Sequence, residues 1–342
     1  MDMLFDDTKA EKAERTTLLN DLDALVEGQP YSRALWACLR LADLDRLRLI
    51  VTRVRHSGPR EATNAGCQPS QFSQSEVPDS PGSPGTSSGR PHKRQRTSGM
   101  VVQDKCRQRD NNKCVITQSG NPIEVAHIVP FAMRDLQSLE ARAERFNPWN
   151  VLKHFWAEEK VNQWLNAIGP TTETLTNLFC LAPHPHAYQG KAYFALKYIE
   201  SNEDYTSLTV MFMWIPHFDH PNSLRACTGP AAAPVMQFRE DSVGGVVGLW
   251  HVPTQLPIST GDHIVLETSD PVNLPLPDSN LLELHWLLQR VAAMAGDAEP
   301  QDKTYETDDE DDGDSDVSSL SIPPKSTVPM SNSTGYLFPS VP

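Results

Sequence analysis

The chain has 342 residues, a hydrophobic content of 39% and a formal net charge of −14, long enough for two modest domains with a core. No run approaches the ~20 apolar residues that a membrane span needs, and the acidic opening Met1-Asp2-Met3-Leu4-Phe5-Asp6-Asp7 lacks the apolar stretch of a secretory signal. Six widely spaced cysteines then suit a reducing, intracellular compartment better than a disulfide framework.

Taken in chain order, residues from Lys9 to Arg55 predict two amphipathic helices. Leu18, Leu19, Leu22, Leu25 and Val26 recur at helical spacing, as do Leu35, Cys38, Leu39 and Ala42. Gly28-Gln29-Pro30 separates the two, and Ser32 suits an N-cap of the second. Residues 57–100 are rich in Ser, Pro, Gly and Gln and read as a disordered linker, since so few apolar groups cannot offset ordering entropy. Within it, Arg90-Pro91-His92-Lys93-Arg94-Gln95-Arg96 is a basic cluster of the kind that directs nuclear import or touches phosphate.

Aromatic and aliphatic residues become denser from Val101, and residues 101–298 read as the folded region. A hairpin is expected over Cys106 to Thr117, turning at Asp110-Asn111-Asn112-Lys113 before a strand at Cys114-Val115-Ile116-Thr117. Ile123 to Ile128 predicts a short strand with His127 near its end, and Pro148 to Ile168 a helix stopped by Gly169-Pro170. Leu208 to Trp214 and Gly261 to Thr268 read as strands, and Leu281 to Met294 as a closing helix. Residues 299–342 form an acidic tail expected to be disordered, whose run Glu306 to Asp316 carries much of the negative charge. With that run set aside, the charge does not exclude nucleic acid. The tail itself suits a basic protein partner.

Three stretches carry chemistry when read together: Cys106-Arg107-Gln108-Arg109-Asp110 with Cys114-Val115-Ile116-Thr117; Val125-Ala126-His127-Ile128-Val129-Pro130; and Asn177-Leu178-Phe179-Cys180-Leu181-Ala182-Pro183-His184-Pro185-His186 with Gly190-Lys191. Their order and spacing resemble the HNH endonuclease domain, in the subfamily widespread in filamentous fungi. The resemblance implies an α+β fold with a ββα-metal core, here extended by a helical insertion and further strands. It also implies hydrolysis of phosphodiester bonds in DNA. By that likeness His127 is the general base, Asn177 holds the loop that presents it, and His186 is a metal ligand. Arg107, Arg109 and Lys191 are candidate phosphate contacts. The residue types suit the task, because an imidazole accepts a proton at neutral pH and a divalent ion stabilises charge on phosphate.

Two positions depart from the family pattern. Ala126 stands where a ligand commonly precedes the base, and Gly190 where another follows the helix histidine; neither has a donor atom. Replacement ligands are available in His184, the first choice, and in Glu124, Asp135 or His154. The cofactor implied is a divalent ion, Mg²⁺ or Zn²⁺, since imidazole and carboxylate together do not select one. A zinc site built on Cys106, Cys114 and Cys180 is the weaker reading, because no Cys-x-x-Cys pair is present. Two functions follow. One is a metal-dependent nuclease. The other is an inactive HNH scaffold that binds nucleic acid or protein.

Overall fold

The computed structural model describes residues 5–57, 92–130, 133, 148–218, 223–228, 236–240 and 244–296, with the backbone alone for 92–100. All of these lie in one unit, Met1–Asp302. The acidic tail, Asp135, Arg90 and Pro91 fall outside the described residues.

The N-terminal region forms three helices where the periodicity predicts two. Helix α1 (Lys9–Leu25) opens with a reciprocal cap: the Glu11 N–H donates to Thr8 Oγ1 at 3.3 Å and the Thr8 N–H to Glu11 Oε2 at 2.7 Å. Short strand β1 (Tyr31–Ser32) leads into α2 (Arg33–Leu41), capped by Ser32 as its sequence suggests. The chain then breaks at Ala42-Asp43 before α3 (Leu44–Ser57). The expected helix from Pro148 to Ile168 likewise divides, into α5 (Pro148–Phe155) and α6 (Glu158–Ile168).

These two breaks hold each other. The Asp43 N–H donates to the Phe155 carbonyl at 2.8 Å, and Asp43 Oδ2 accepts from the Ala157 N–H at 2.8 Å. Trp156 Nε1 donates to the Leu41 carbonyl at 3.2 Å. Backbone groups freed by each interruption thus find partners in the other.

Between these helices lies α4 (His92–Arg109), which enters the segment read as linker and takes in Cys106. The hairpin expected over Cys106–Thr117 is therefore absent. Cys114–Thr117 is instead a turn closed by Gln118 N–H to Cys114 O at 2.9 Å, with Val115 N–H reaching Cys180 O at 2.9 Å. Strand β2 (Glu124–His127) pairs antiparallel with β3 (Leu178–Leu181) across the helical insertion, Ala126 opposite Phe179 and His127 opposite Leu178. Helix α7 (Pro183–Gly190) follows directly and packs on both strands.

Downstream, β4 (Phe194–Ser201), β5 (Ser207–Trp214) and β11 (His263–Glu267) form an antiparallel sheet in the order β11-β5-β4. Between them, β6 (Ser223–Leu224) joins β1, β7 (Arg239–Glu240) joins β8 (Val246–Val247), and β9 (Trp250–His251) joins β10 (Leu256–Pro257). Phe194, Phe212 and Trp214 are fully buried, with ring centroids 5.1 Å apart for the first pair and 5.0 Å for the second. Closing helix α8 (Ser279–Ala295) is capped by Asp278, ends at left-handed Gly296, and packs on β4, α2 and α6. Among the described residues no helix is long and apolar enough to cross a membrane.

Candidate active site

Strand β2 delivers His127 to its C-terminal end, and the next two residues are pinned at their polar backbone atoms. The His127 carbonyl accepts from Gln189 Nε2 on α7 at 2.8 Å. The Ile128 N–H donates to the Asn177 carbonyl at 2.8 Å. Asn177 then grips Val129 from both sides: Oδ1 accepts its N–H at 2.9 Å and Nδ2 donates to its carbonyl at 3.0 Å. The same Nδ2 also donates to the Thr172 carbonyl at 3.1 Å. At 1% exposure, Asn177 uses both the acceptor and the donor that an amide offers.

A fourth hold comes from outside the three signature stretches. His285 on α8 meets the Ile128 carbonyl through Nδ1 at 3.0 Å. A carbonyl has no proton to give, so the ring carries its hydrogen on Nδ1. Its Nε2 is buried with no partner among the described residues. Burial pushes the His285 pKa down to about 4, only partly countered by the bond to Ile128, so the ring is neutral at physiological pH.

The His127 side chain itself is about one-sixth exposed, and its Nε2 lies 2.8 Å from Glu173 Oε1. Glu173 occupies the approach to the 3-10 turn Leu175–Asn177. No sequence signal marked Glu173, Gln189 or His285, because each acts through geometry formed by distant segments.

The helix histidine has an acidic neighbour too. His186 Nδ1 lies 2.6 Å from Glu124 Oε2. Glu124 and Ala126 share one face of β2 by strand alternation, so the carboxylate projects from the face on which Ala126 has nothing to offer. His184, the first choice from sequence, is exposed and lies against Tyr188, ring centroids 4.3 Å apart. His154 is exposed on α5, its pKa lowered by partial burial and by Arg53 and Arg46.

Of the candidate phosphate contacts, Lys191 is exposed beside the Tyr193 ring. Arg107 is half-buried and donates to the Ile123 carbonyl at 3.2 Å. Arg109 cannot serve, which corrects the expectation. It is 3% exposed and donates to Asp110 Oδ1 at 2.7 Å and to the carbonyls of Leu175, Leu178 and Pro275. Its charge is consumed in the interior.

That interior cluster bears on metal binding. The ligand atoms of Cys106, Asp110 and Cys180 lie within 4.8 Å of one another, the two sulfurs 3.9 Å apart. Arg109 Nη2 reaches both Cys106 Sγ, at 3.6 Å, and Asp110 Oδ2, at 3.1 Å, while the Cys180 N–H donates to the same carboxylate at 2.7 Å. The hydrogen bond to Cys180, reinforced by burial, pushes the Cys106 thiol well above the ordinary range. Arg109 already balances the acid and also donates to the Cys106 sulfur. The cluster is thus a largely buried candidate metal site, two of whose three donors are already engaged by Arg109. Outside that cluster, His186 and Glu124 bring an imidazole and a carboxylate together where both are partly open to solvent.

No curated protein and no solved structure matches the chain. A family model does match, over the stretch that begins at Cys114, spans β2, the insertion, β3 and α7, and ends in β4. Its description is HNH endonuclease, and residues 114–197 of this chain are therefore an HNH endonuclease domain.

Proposed function

We propose that the chain is a metal-dependent nuclease that hydrolyses phosphodiester bonds in DNA, with His127 as general base. The observation that carries this reading is the His127–Glu173 pair at 2.8 Å on a segment whose backbone is held from three directions. A carboxylate at Nε2 favours the tautomer with its hydrogen there, leaving the Nδ1 lone pair to take a proton from water. Glu173 then balances the charge that the ring acquires, and Asn177 keeps the ring from drifting as it does so. Preorganisation matters because misplacing a base by about 1 Å can cost on the order of 10²-fold in rate.

Glu124 and His186 are the residues that would hold the divalent ion, which supplies positive charge beside the phosphate and the leaving oxygen when bound. Lys191, exposed beside Tyr193, and Arg107 are the candidate contacts for flanking phosphates.

The test is nicking of supercoiled plasmid by the full chain, stripped of metal and resupplied with Mg²⁺, Mn²⁺ or Zn²⁺. Cleavage with at least one ion, reduced by ~10²–10⁴-fold in His127→Ala, is the expected result. A second reading, a scaffold that binds without cutting, is favoured by Ala126 and Gly190, which have no donor atoms. DNA binding with no cleavage under any ion would establish it in place of the first.

A further inference from the structure

The buried cluster where α4 meets β3 lies partly upstream of residue 114, where the family match begins. Cys106 sits in the last turn of α4, and the Asp110 N–H continues that turn by donating to the Cys106 carbonyl at 3.0 Å. Residues four apart on a helical turn share a side, and Cys180 comes to them from β3. Both cysteines are fully buried, and the Asp110 side chain is 3% exposed.

The spacing of the three donors suits one ion. The sulfurs are 3.9 Å apart, and Cys106 Sγ lies 3.8 Å from Asp110 Oδ2. Two sulfurs bound to one tetrahedral zinc ion at ~2.3 Å stand about 3.8 Å apart, and a sulfur and a carboxylate oxygen about 3.5 Å. Two thiols with a carboxylate are also a softer set than Mg²⁺ takes, and suit zinc. Cys114, the other thiol nearby in sequence, stands outside the group: its Sγ accepts from the Thr117 N–H at 3.4 Å. Asp110 takes the place that a third cysteine would have filled.

Charge is what such an ion must satisfy in the interior. At present Asp110 is answered by Arg109, whose side chain is fully buried, and the thiols are neutral. Zinc entry preserves that balance, because its two positive charges replace the protons of the two thiols, which leave as thiolates form. Without Arg109 the same three ligands would leave one negative charge unanswered, at a high cost so far from water. Arg109 Nη2 already reaches Cys106 Sγ at 3.6 Å and Asp110 Oδ2 at 3.1 Å. An N–H can go on donating to a metal-bound sulfur or oxygen, and such outer contacts orient ligands. The guanidinium and the ion are therefore complementary.

We propose that Cys106, Asp110 and Cys180 bind one structural zinc ion, with Arg109 as its counter-charge and a water or the second Asp110 oxygen in the fourth position. The ion ties α4 to the strand that follows Asn177, and so fastens the chain upstream of the HNH domain to its core. It is separate from the ion that the nuclease reading assigns to Glu124 and His186, and stands whether or not the chain cuts DNA.

The test uses the full chain, reduced, stripped of metal and titrated with Co²⁺, whose bonds to thiolate give a near-ultraviolet charge-transfer band that imidazole and carboxylate ligands do not. One equivalent of Co²⁺ should develop the band, and one of Zn²⁺ should erase it, release about two protons per ion and raise the melting temperature. Cys106→Ser and Cys180→Ser should each lose most of the band, while Cys114→Ser and His186→Ala keep it. The parent's titration decides first, so a cysteine variant that does not fold leaves the proposal open to refutation. A parent that takes up no Co²⁺, or takes it up without the band, would overturn it. So would a band that survives both Cys106→Ser and Cys180→Ser, or one that disappears in Cys114→Ser or His186→Ala.

Discussion

Replacing Asn177 by Ala should be among the most damaging single changes in the described residues, and the geometry gives its size. The substitution strands the Val129 N–H, the Val129 carbonyl and the Thr172 carbonyl, all in residues no more than 1% exposed. Each buried polar group left without its partner costs about 1–3 kcal/mol. Water entering the vacated volume recovers part of this, so the sum is about 3–5 kcal/mol, a large share of the ~5–15 kcal/mol that holds a domain together. Urea unfolding followed by tryptophan fluorescence at neutral pH would measure it. Asn177→Asp is the sharper companion. It keeps the acceptor for Val129 N–H but, as a carboxylate, points an oxygen at two carbonyls. Only the protonated acid restores a donor, so its folded-state pKa should lie above the unfolded value of ~3.9. Relative to the parent, that variant should then lose least below ~3.9 and progressively more as pH rises through the folded-state pKa. A loss below about 1 kcal/mol in Asn177→Ala, or an Asn177→Asp protein whose difference from the parent does not change with pH, would refute the reasoning.

His285 should make the protein sensitive to acid. Its folded pKa of about 4 lies below the ~6.5 of the unfolded chain, so the unfolded state takes up the proton first. Stability should therefore fall as pH drops from ~6.5 through about 4, by about 3 kcal/mol in all; His285→Asn, which keeps a donor for Ile128, should remove that part of the pH dependence in urea titrations. Glu173→Gln should lower the plasmid-nicking rate by about tenfold with little change in KM, less than His127→Ala, because the amide can orient the ring but cannot balance its charge; an unchanged rate would count against the pair. Arg109→Met should cost about 3–5 kcal/mol by leaving Asp110 as an unpaired buried acid, yet leave the salt dependence of DNA binding at its parental slope. A shallower slope would put Arg109 back at the nucleic-acid surface.

Much of the site could be read from the sequence because its parts are local. Ser32 caps a helix through its own side chain, Gly169 ends one at φ 61°, and the strand carrying His127 shows in six consecutive residues. The errors share a physical origin in hydrogen bonds between distant segments. The helix periodicity through Ala42 and through Trp156 is genuine, but at the two breaks Asp43 bonds to the Phe155 carbonyl and the Ala157 N–H, and the Trp156 indole to the Leu41 carbonyl. Nothing within either window reveals the exchange. Cys114–Thr117 has strand-forming residues, but β2 takes β3 as its partner and leaves the earlier segment as a turn. Arg109 looks like a surface cation beside Arg107; the carbonyls that draw it inward come from Leu175, Leu178 and Pro275. That Glu124 rather than His184 lies beside His186 depends on the face of β2 that meets α7, which no local signal reveals.

The bond from His285 to Ile128 also sets an order of events. The family match ends at residue 197, yet the loop behind His127 is completed by a helix that begins at Ser279. During synthesis, a ribosome must deliver the rest of that helix, through Ala295, before the loop has its last support. At about 5–20 residues per second, the roughly one hundred residues between those points take several seconds or more. A chain halted in that interval would hold the signature histidines and asparagine without the frame that aims them, and whatever reaction the loop performs would start only on a finished fold.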